Sequence, residues 1–250
     1  TPVAVDRETA LLIRDCLTLA RLTRGRFDPT VGAVARLWCF RTGRVPSPPD
    51  VARALRLVAH RRVRLRCGTV ALTSEGMELD LGGIGKEHAV DRMAAIVERE
   101  VASAVIELAG DLRTIGSRGD GRPWRIGVAA PRRRGALRFT VRLLGSAGIA
   151  TSGDYERAFV HRGVRYHHIL DARTGRPARG CSAVTVIAST ARRAGLLATA
   201  AFLLGPREGL ALLTKSRDAE GVLIDDEAQR IHATQGMALL SDLPGSLYAA

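Results

Sequence analysis

Residues 149–177 read IATSGDYERAFVHRGVRYHHILDARTGRP, a stretch crowded with groups that can do chemistry. Thr151, Ser152, Gly153, Asp154 and Tyr155 fall where a strand gives way to a turn, and the glycine lets backbone come close to a ligand. His161, Arg162 and Gly163 form a second turn, and Val164 to Leu170 then reads as a strand. Alternation along it sets Tyr166, His168 and Leu170 on one face and Arg165, His167 and Ile169 on the other. A histidine aimed from a rigid strand, with carboxylates before and after it, suits general-base work. Periodicity by itself favours a structural role for the pair.

The text of the stretch goes further than its periodicity. SGDYERAF followed by RYHHILDARTGRP resembles the signature of the FAD:protein FMN transferases, the ApbE family. The resemblance implies cleavage of FAD at its pyrophosphate, attachment of the FMN half to a threonine of a partner protein, and release of AMP. It also implies an α+β, ApbE-like fold of mixed, mostly antiparallel sheets with packed helices, and a flavin site between sub-domains. His168, directly before the Ile-Leu-Asp run, takes the place of the family's histidine and is the expected base, with His167 facing away. Leu170 is expected among the flavin contacts.

Two further segments carry the same resemblance. RFDPTVGAVARLWCF, residues 26–40, matches a Gly-Ala-Phe-Asp-Pro-Thr-Val-Gly stretch lining the flavin, which assigns Arg26, Phe27 and Asp28 to the cofactor. An Asp before Pro is also an ordinary turn former. Arg36 departs from the family here, standing where an asparagine is usual. MELDLGGIGKEHAVDRMAAIVEREVAS, residues 77–103, reads as a strand ending at Asp80-Leu81, a turn through Gly82 to Gly85, and a helix from near Lys86. A glycine turn opening a helix suits phosphate, because its N–H groups are unpaired and the helix dipole favours negative charge. By the resemblance Asp80 and Lys86 contact FAD and the main-chain oxygen of Gly83 binds magnesium. Glu87-His88 replaces the usual Gly-Tyr.

The helix in ARRAGLLATAAF, residues 191–202, brings the largest departure. The family carries Asp and Thr four residues apart on it, one face of the helix, and both bind magnesium. Thr199 is present, but Gly195 holds the aspartate's place. Weakened magnesium binding and slow turnover are therefore expected, with Asp154 or Asp171 as substitutes and Gly195→Asp raising both.

Composition sets the outer bounds. The chain has 250 residues, 46% hydrophobic and 25% charged, ordinary for a globular domain. No run approaches the ~18 apolar residues of a membrane span, so a soluble domain is expected. The net charge of +13 would raise nucleic acid as a partner. Yet Lys86 and Lys215 are the only lysines, a skew toward arginine like that of a GC-rich genome, and 4% aromatics are too few for base stacking. No nucleic-acid partner is expected. Cys16, Cys39, Cys67 and Cys181 stand singly, without metal-ligand spacing.

The remaining elements follow from pattern. Residues 7–23 are an amphipathic helix ending near Gly25. Asp50 is placed to cap a helix running to about His60, and RVRLRCGTVALT to form two strands turning at Gly68. Ala104 to Leu108 reads as a buried strand leading to Ala109-Gly110-Asp111, where the family has Gly-Gly-Asp or Gly-Gly-Asn. Strands at 123–129, 137–144 and 183–188 follow. Then come a helix through Leu204 stopped at Gly205-Pro206 and a hairpin around Asp225-Asp226.

Irregular mixing of strands and helices argues α+β, and no linker divides the chain, so residues 1–250 are expected to be one domain. By resemblance it lacks about fifty residues at its N-terminus. The expected cofactors are FAD, as substrate, and Mg2+. The expected partner is an acceptor protein with a flavinylated threonine, an electron-transfer flavoprotein subunit or similar. Cell-envelope location, exported or membrane-anchored, follows from the resemblance, with membrane contact only through an N-terminal anchor. Two other classes share the site: an FAD pyrophosphatase, and a flavin-binding module whose metal site has decayed.

Overall fold

The computed structural model describes residues 1–243, and the chain passes twice through each of two compact units. The first unit comprises Thr1–Gly83 and Glu156–Ala178, the second Ile84–Tyr155 and the chain from Arg179 onward. The first pass through the first unit gives β1 (Val3–Ala4), α1 (Arg7–Leu22), α2 (Gly32–Ala35), α3 (Pro48–Leu55), β2 (Val63–Arg66) and β3 (Thr69–Leu72). The second unit then contributes α4 (Gly85–Val97), β4 (Ala104–Leu108), β5 (Asp111–Ile115), β6 (Trp124–Ala129), β7 (Leu137–Leu143) and β8 (Ala147–Gly153). Back in the first unit come β9 (Ala158–His161), β10 (Val164–His167), β11 (Leu170–Asp171) and β12 (Arg176–Pro177). The chain finishes with β13 (Cys181–Ala188), α5 (Ala191–Lys215), β14 (Ala219–Asp225), β15 (Ile231–Ala233) and α6 (Met237–Leu240).

In the first unit, α1 buries Leu12, Ile13, Cys16, Leu17, Leu19 and Ala20, the stripe its periodicity predicts. Asp6 caps it, accepting from the Thr9 N–H at 2.8 Å. Ile13 and Leu17 pack with Val63 and Met77 beneath the β1-β3-β2 sheet. The cap of α3 is Ser47 rather than Asp50, with Pro48 in the first turn, and the helix stops at Leu55, short of His60. The strand expected to end at Asp80-Leu81 is reduced to a single bridge between Val31 and Glu78. The expected strand from Val164 to Leu170 is also interrupted. Its partner β9 begins at Ala158, opposite His167, so the ladder ends there and the chain bends at His168. Arg162-Gly163 closes this hairpin with φ of 51° and 76°, the left-handed pair of a two-residue turn. Trp38, Phe40, Phe159 and Tyr166 stack their rings over Val34, Ala54 and Leu170. The Trp38 Nε1–H donates to the Gly175 carbonyl at 3.1 Å.

The second unit is built on an antiparallel sheet in the order β15-β14-β13-β8-β5-β4. All eight residues of β13 are buried, as a central strand covered on both faces requires. Ile149, Ala183, Ile187, Val222 and Ile224 meet Val128, Phe139, Val141 and Leu143 of the β6–β7 ribbon. α5 packs on β8, β13 and β14, and α4 packs on β5. β4, expected to be buried, is the edge strand, with Val105, Glu107 and Leu108 exposed. By length and composition α5 could cross a membrane, a test that consecutive apolar residues did not reveal. Over half of its most apolar window is buried, and it breaks at Gly205 (φ 81°) before Pro206, which fits a core helix. Every named strand pairing is antiparallel, so the α+β reading with mostly antiparallel sheets holds.

Candidate active site

The first unit gathers Arg26, Phe27, Asp28, Asp80, Gly83 and Leu170 in one neighbourhood. The loop after α1 is fixed by Thr23, whose Oγ1 accepts from the Phe27 N–H at 3.0 Å. The Arg26 carbonyl accepts from the Ala172 N–H at 2.8 Å, tying this loop to the segment that follows β11. The Asp80 N–H donates to the Pro29 carbonyl at 2.7 Å, and the Asp80 Oδ1 accepts from the Gly82 N–H at 2.7 Å. A Cβ on Gly83 would stand 3.3 Å from the Phe27 ring, so ring and glycine backbone lie in contact. Leu170 buries its side chain against Val34, Trp38 and Ala54 and can offer a ligand only its main chain. Arg36, the departure noted above, makes an exposed ion pair with Glu78 at 3.4 Å.

Asp28 is spent on the protein itself. Its Oδ1 accepts from the Thr30 N–H at 2.9 Å and hydroxyl at 2.6 Å, and its Oδ2 from the His60 N–H at 2.8 Å, with His60 Nδ1 also at 2.8 Å. Its carboxylate therefore organises the loop that presents Phe27. Asp28→Asn turns one acceptor oxygen into a donor facing these groups. The expected cost is about 1–2 kcal/mol of stability, read by denaturant unfolding.

The two histidines differ in kind. His167 is 3% exposed; its Nδ1 accepts from the Ile169 N–H at 3.3 Å and its Nε2 donates to the Ala178 carbonyl at 2.9 Å. Those bonds fix a neutral tautomer. His168 is half-buried just beyond the strand, its N–H donating to the Arg157 carbonyl at 3.1 Å.

The second unit holds Lys86, Thr199 and a set of polar groups around them. α4 starts at Gly85 with Ile84 at its cap, a residue that makes no side-chain hydrogen bond to the first turn. The Lys86 Nζ bonds the Asp111 Oδ2. Asp111 is 2% exposed, and its Oδ1 accepts from the Thr151 N–H at 3.3 Å. Burial raises the Asp111 pKa, against the pull of Lys86. The Thr199 hydroxyl lies 3.1 Å from that of Ser152.

Glu87, one residue on from Lys86, points into the interior. It is 6% exposed and its Oε2 has no hydrogen-bond partner. Burial, and then the charge of Asp111, pushes its carboxyl up to about 7. A Cβ built on Gly195 would lie 2.6 Å from Glu87 Cγ and 2.7 Å from its Oε1. The register is set by Asp91, one turn along α4, which accepts from the Ala191 and Arg192 N–H groups at 2.9 Å each and from Arg113 Nη1 at 3.1 Å. The helices thus run antiparallel, with 91 beside 191 and 87 beside 195.

The substitute carboxylates are committed elsewhere. Asp154 is held by both guanidinium nitrogens of Arg132 at 2.6 and 2.7 Å. Asp171 accepts from the Arg173 N–H at 2.9 Å and faces Arg26 at 3.8 Å. An aspartate added at 195 would require the Glu87 side chain to shift, since a Cβ there already meets its Cγ at 2.6 Å. Sequence reasoning missed Asp111 and Ser152 as site residues. The Gly-Gly-Asp likeness at Asp111 was the available signal for the first.

The family model described as "ApbE family" matches residues 1–223. The FAD:protein FMN transferase of Treponema pallidum is 34% identical over 94% of this chain and 70% of its own length. That of Salmonella typhimurium is 33% identical over 88% and 68%. Among solved structures, the ApbE protein of Thermotoga maritima superposes with a TM-score of 0.87 at 37% identity, covering 96% of this chain and 80% of that one. The Pseudomonas stutzeri flavinyl transferase ApbE gives 0.82 at 31%, covering 96% and 77%.

Proposed function

Since this chain belongs to the ApbE family, we propose that it transfers FMN from FAD to a threonine hydroxyl of an acceptor protein and releases AMP. The observation that carries the reading is the start of α4, where N–H groups without a side-chain cap and Lys86 stand together. Such a helix end favours an anion, and pyrophosphate is the anion FAD offers. Phe27 with the Gly83 backbone gives an apolar contact suited to the ring.

The threonine oxygen attacks the FMN-side phosphorus, the bond to the AMP oxygen breaks, and the threonine proton passes to a base. His168 takes that proton, histidine being the side chain whose ordinary range lies nearest neutrality. Lys86 meets the charge on the pyrophosphate, moving from Asp111 to do so. Among the described residues no three His, Cys, Asp or Glu side chains cluster to hold a metal. A magnesium site in the second unit would therefore draw on hydroxyl oxygens, such as Thr199 Oγ1, with a carboxylate. The unpartnered Glu87 Oε2 fits that requirement. When bound, magnesium would supply positive charge to the pyrophosphate oxygens. Location at the cell envelope, and an acceptor akin to an electron-transfer flavoprotein subunit, belong to the same proposal.

The test is AMP release from FAD with and without a threonine-bearing acceptor. AMP together with a flavin-labelled acceptor supports transfer. AMP alone means hydrolysis, and neither means a binding module. Lys86→Ala is expected to lower FAD affinity by about 1.5–3 kcal/mol while leaving riboflavin affinity unchanged, measured by calorimetry. Equal losses for both ligands would place Lys86 away from phosphate.

A further inference from the structure

We propose that Glu87 is the carboxylate ligand of the divalent-cation site in this chain, reaching from α4 into the space that a side chain at position 195 of α5 would fill. The inference rests on the flavin-transfer reading above and names a ligand that reading leaves open.

Three observations carry it. Glu87 is more than nine-tenths buried, and its Oε2 has no hydrogen-bond partner. An ionised carboxylate held this way is costly unless a positive partner arrives. Lys86, its immediate neighbour, is engaged with Asp111. Second, the carboxylate is aimed at the face of α5 that carries Thr199. Its Oε1 lies 2.7 Å from where a Cβ on Gly195 would be, and Thr199 is one turn further on the same face. The Ser152 hydroxyl stands 3.1 Å from Thr199 Oγ1, so two hard oxygen donors of the kind magnesium takes lie together at Thr199. Third, the fit is reciprocal. Glu87 has room only because residue 195 lacks a side chain, and Asp91 fixes the helix register in which the two face each other.

A space-filling role alone would be served as well by a neutral side chain of the same length, and that difference decides the test. Mn2+ is titrated against the full chain with and without FAD, and free Mn2+ is followed by electron paramagnetic resonance. FAD binding is measured separately in chelator by flavin fluorescence. Glu87→Gln keeps the volume and removes the charge. It is expected to weaken Mn2+ binding by roughly tenfold or more and to leave metal-free FAD binding unchanged. The double variant Glu87→Gly with Gly195→Asp, which returns the carboxylate to α5, is expected to regain Mn2+ binding. Mn2+ bound equally well by Glu87→Gln, or not bound by the wild type in either condition, overturns the proposal. Mn2+ binding that depends on Glu87 in a chain that does not bind FAD would uphold the cation site and remove the flavin reading instead.

Discussion

His168→Ala is expected to slow FMN transfer by about 10²–10⁴-fold while FAD binding stays close to that of the unaltered protein. On the proposed mechanism His168 takes the threonine proton, so its loss should remove a transition-state interaction and spare ground-state FAD binding. The measurement is single-turnover labelling of the acceptor beside a fluorescence titration with FAD. Its neighbour gives the control. His167 bridges the Ile169 N–H and the Ala178 carbonyl from a fully buried position, so His167→Ala leaves both groups unpaired. That variant should lose about 1–3 kcal/mol of stability. Normal transfer by His168→Ala would falsify its role as base.

A second large effect is expected in the metal-free protein, where Glu87 must be stable without a cation. Its folded-state carboxyl lies near 7 against an ordinary 4.5. Between those values the folded chain holds a proton that the unfolded chain has released. The stability this provides is complete below about pH 4.5 and is lost as pH rises through about 7. The interval corresponds to about 3 kcal/mol. In chelator, the stability of Glu87→Gln relative to wild type should therefore grow by about 3 kcal/mol between acid and mildly alkaline pH. Urea unfolding across that range checks it. Parallel pH profiles for the two proteins would mean that Glu87 titrates as an ordinary surface carboxylate.

Local chemistry explains which elements the sequence made legible. α1 follows from one apolar stripe and a cap. The turns at Gly68 and Gly163 follow from glycines, which take positive φ without strain, while Cys67 and Arg162 beside them adopt it against their own preference. Ala104 to Leu108 could not be placed this way, because edge or centre depends on strand order rather than on the strand's own residues. The break at His168 also lay beyond reach. It arises where β9 runs out, and His167 is drawn toward Ala178, a residue of another segment. At the site, Lys86 and Thr199 were read from motif position. The pairing of Glu87 with Gly195 was visible only as two separate oddities. What joins them is a helix register set by Asp91, which no local pattern encodes.

That register also constrains the history of the two positions. If the family's glycine and aspartate were ancestral at 87 and 195, two two-step routes lead to the present pair. Gaining the glutamate first would press two buried carboxylates into one space, since even a bare Cβ at 195 meets Glu87 at 2.6 Å. Losing the aspartate first leaves glycine at both positions, a void whose helix-propensity cost is about 1 kcal/mol per glycine relative to alanine. A void is survivable where a collision of charges is not. On the proposed assignment of Glu87, the passable route therefore runs through a double-glycine intermediate without this carboxylate, which returns from the opposite helix.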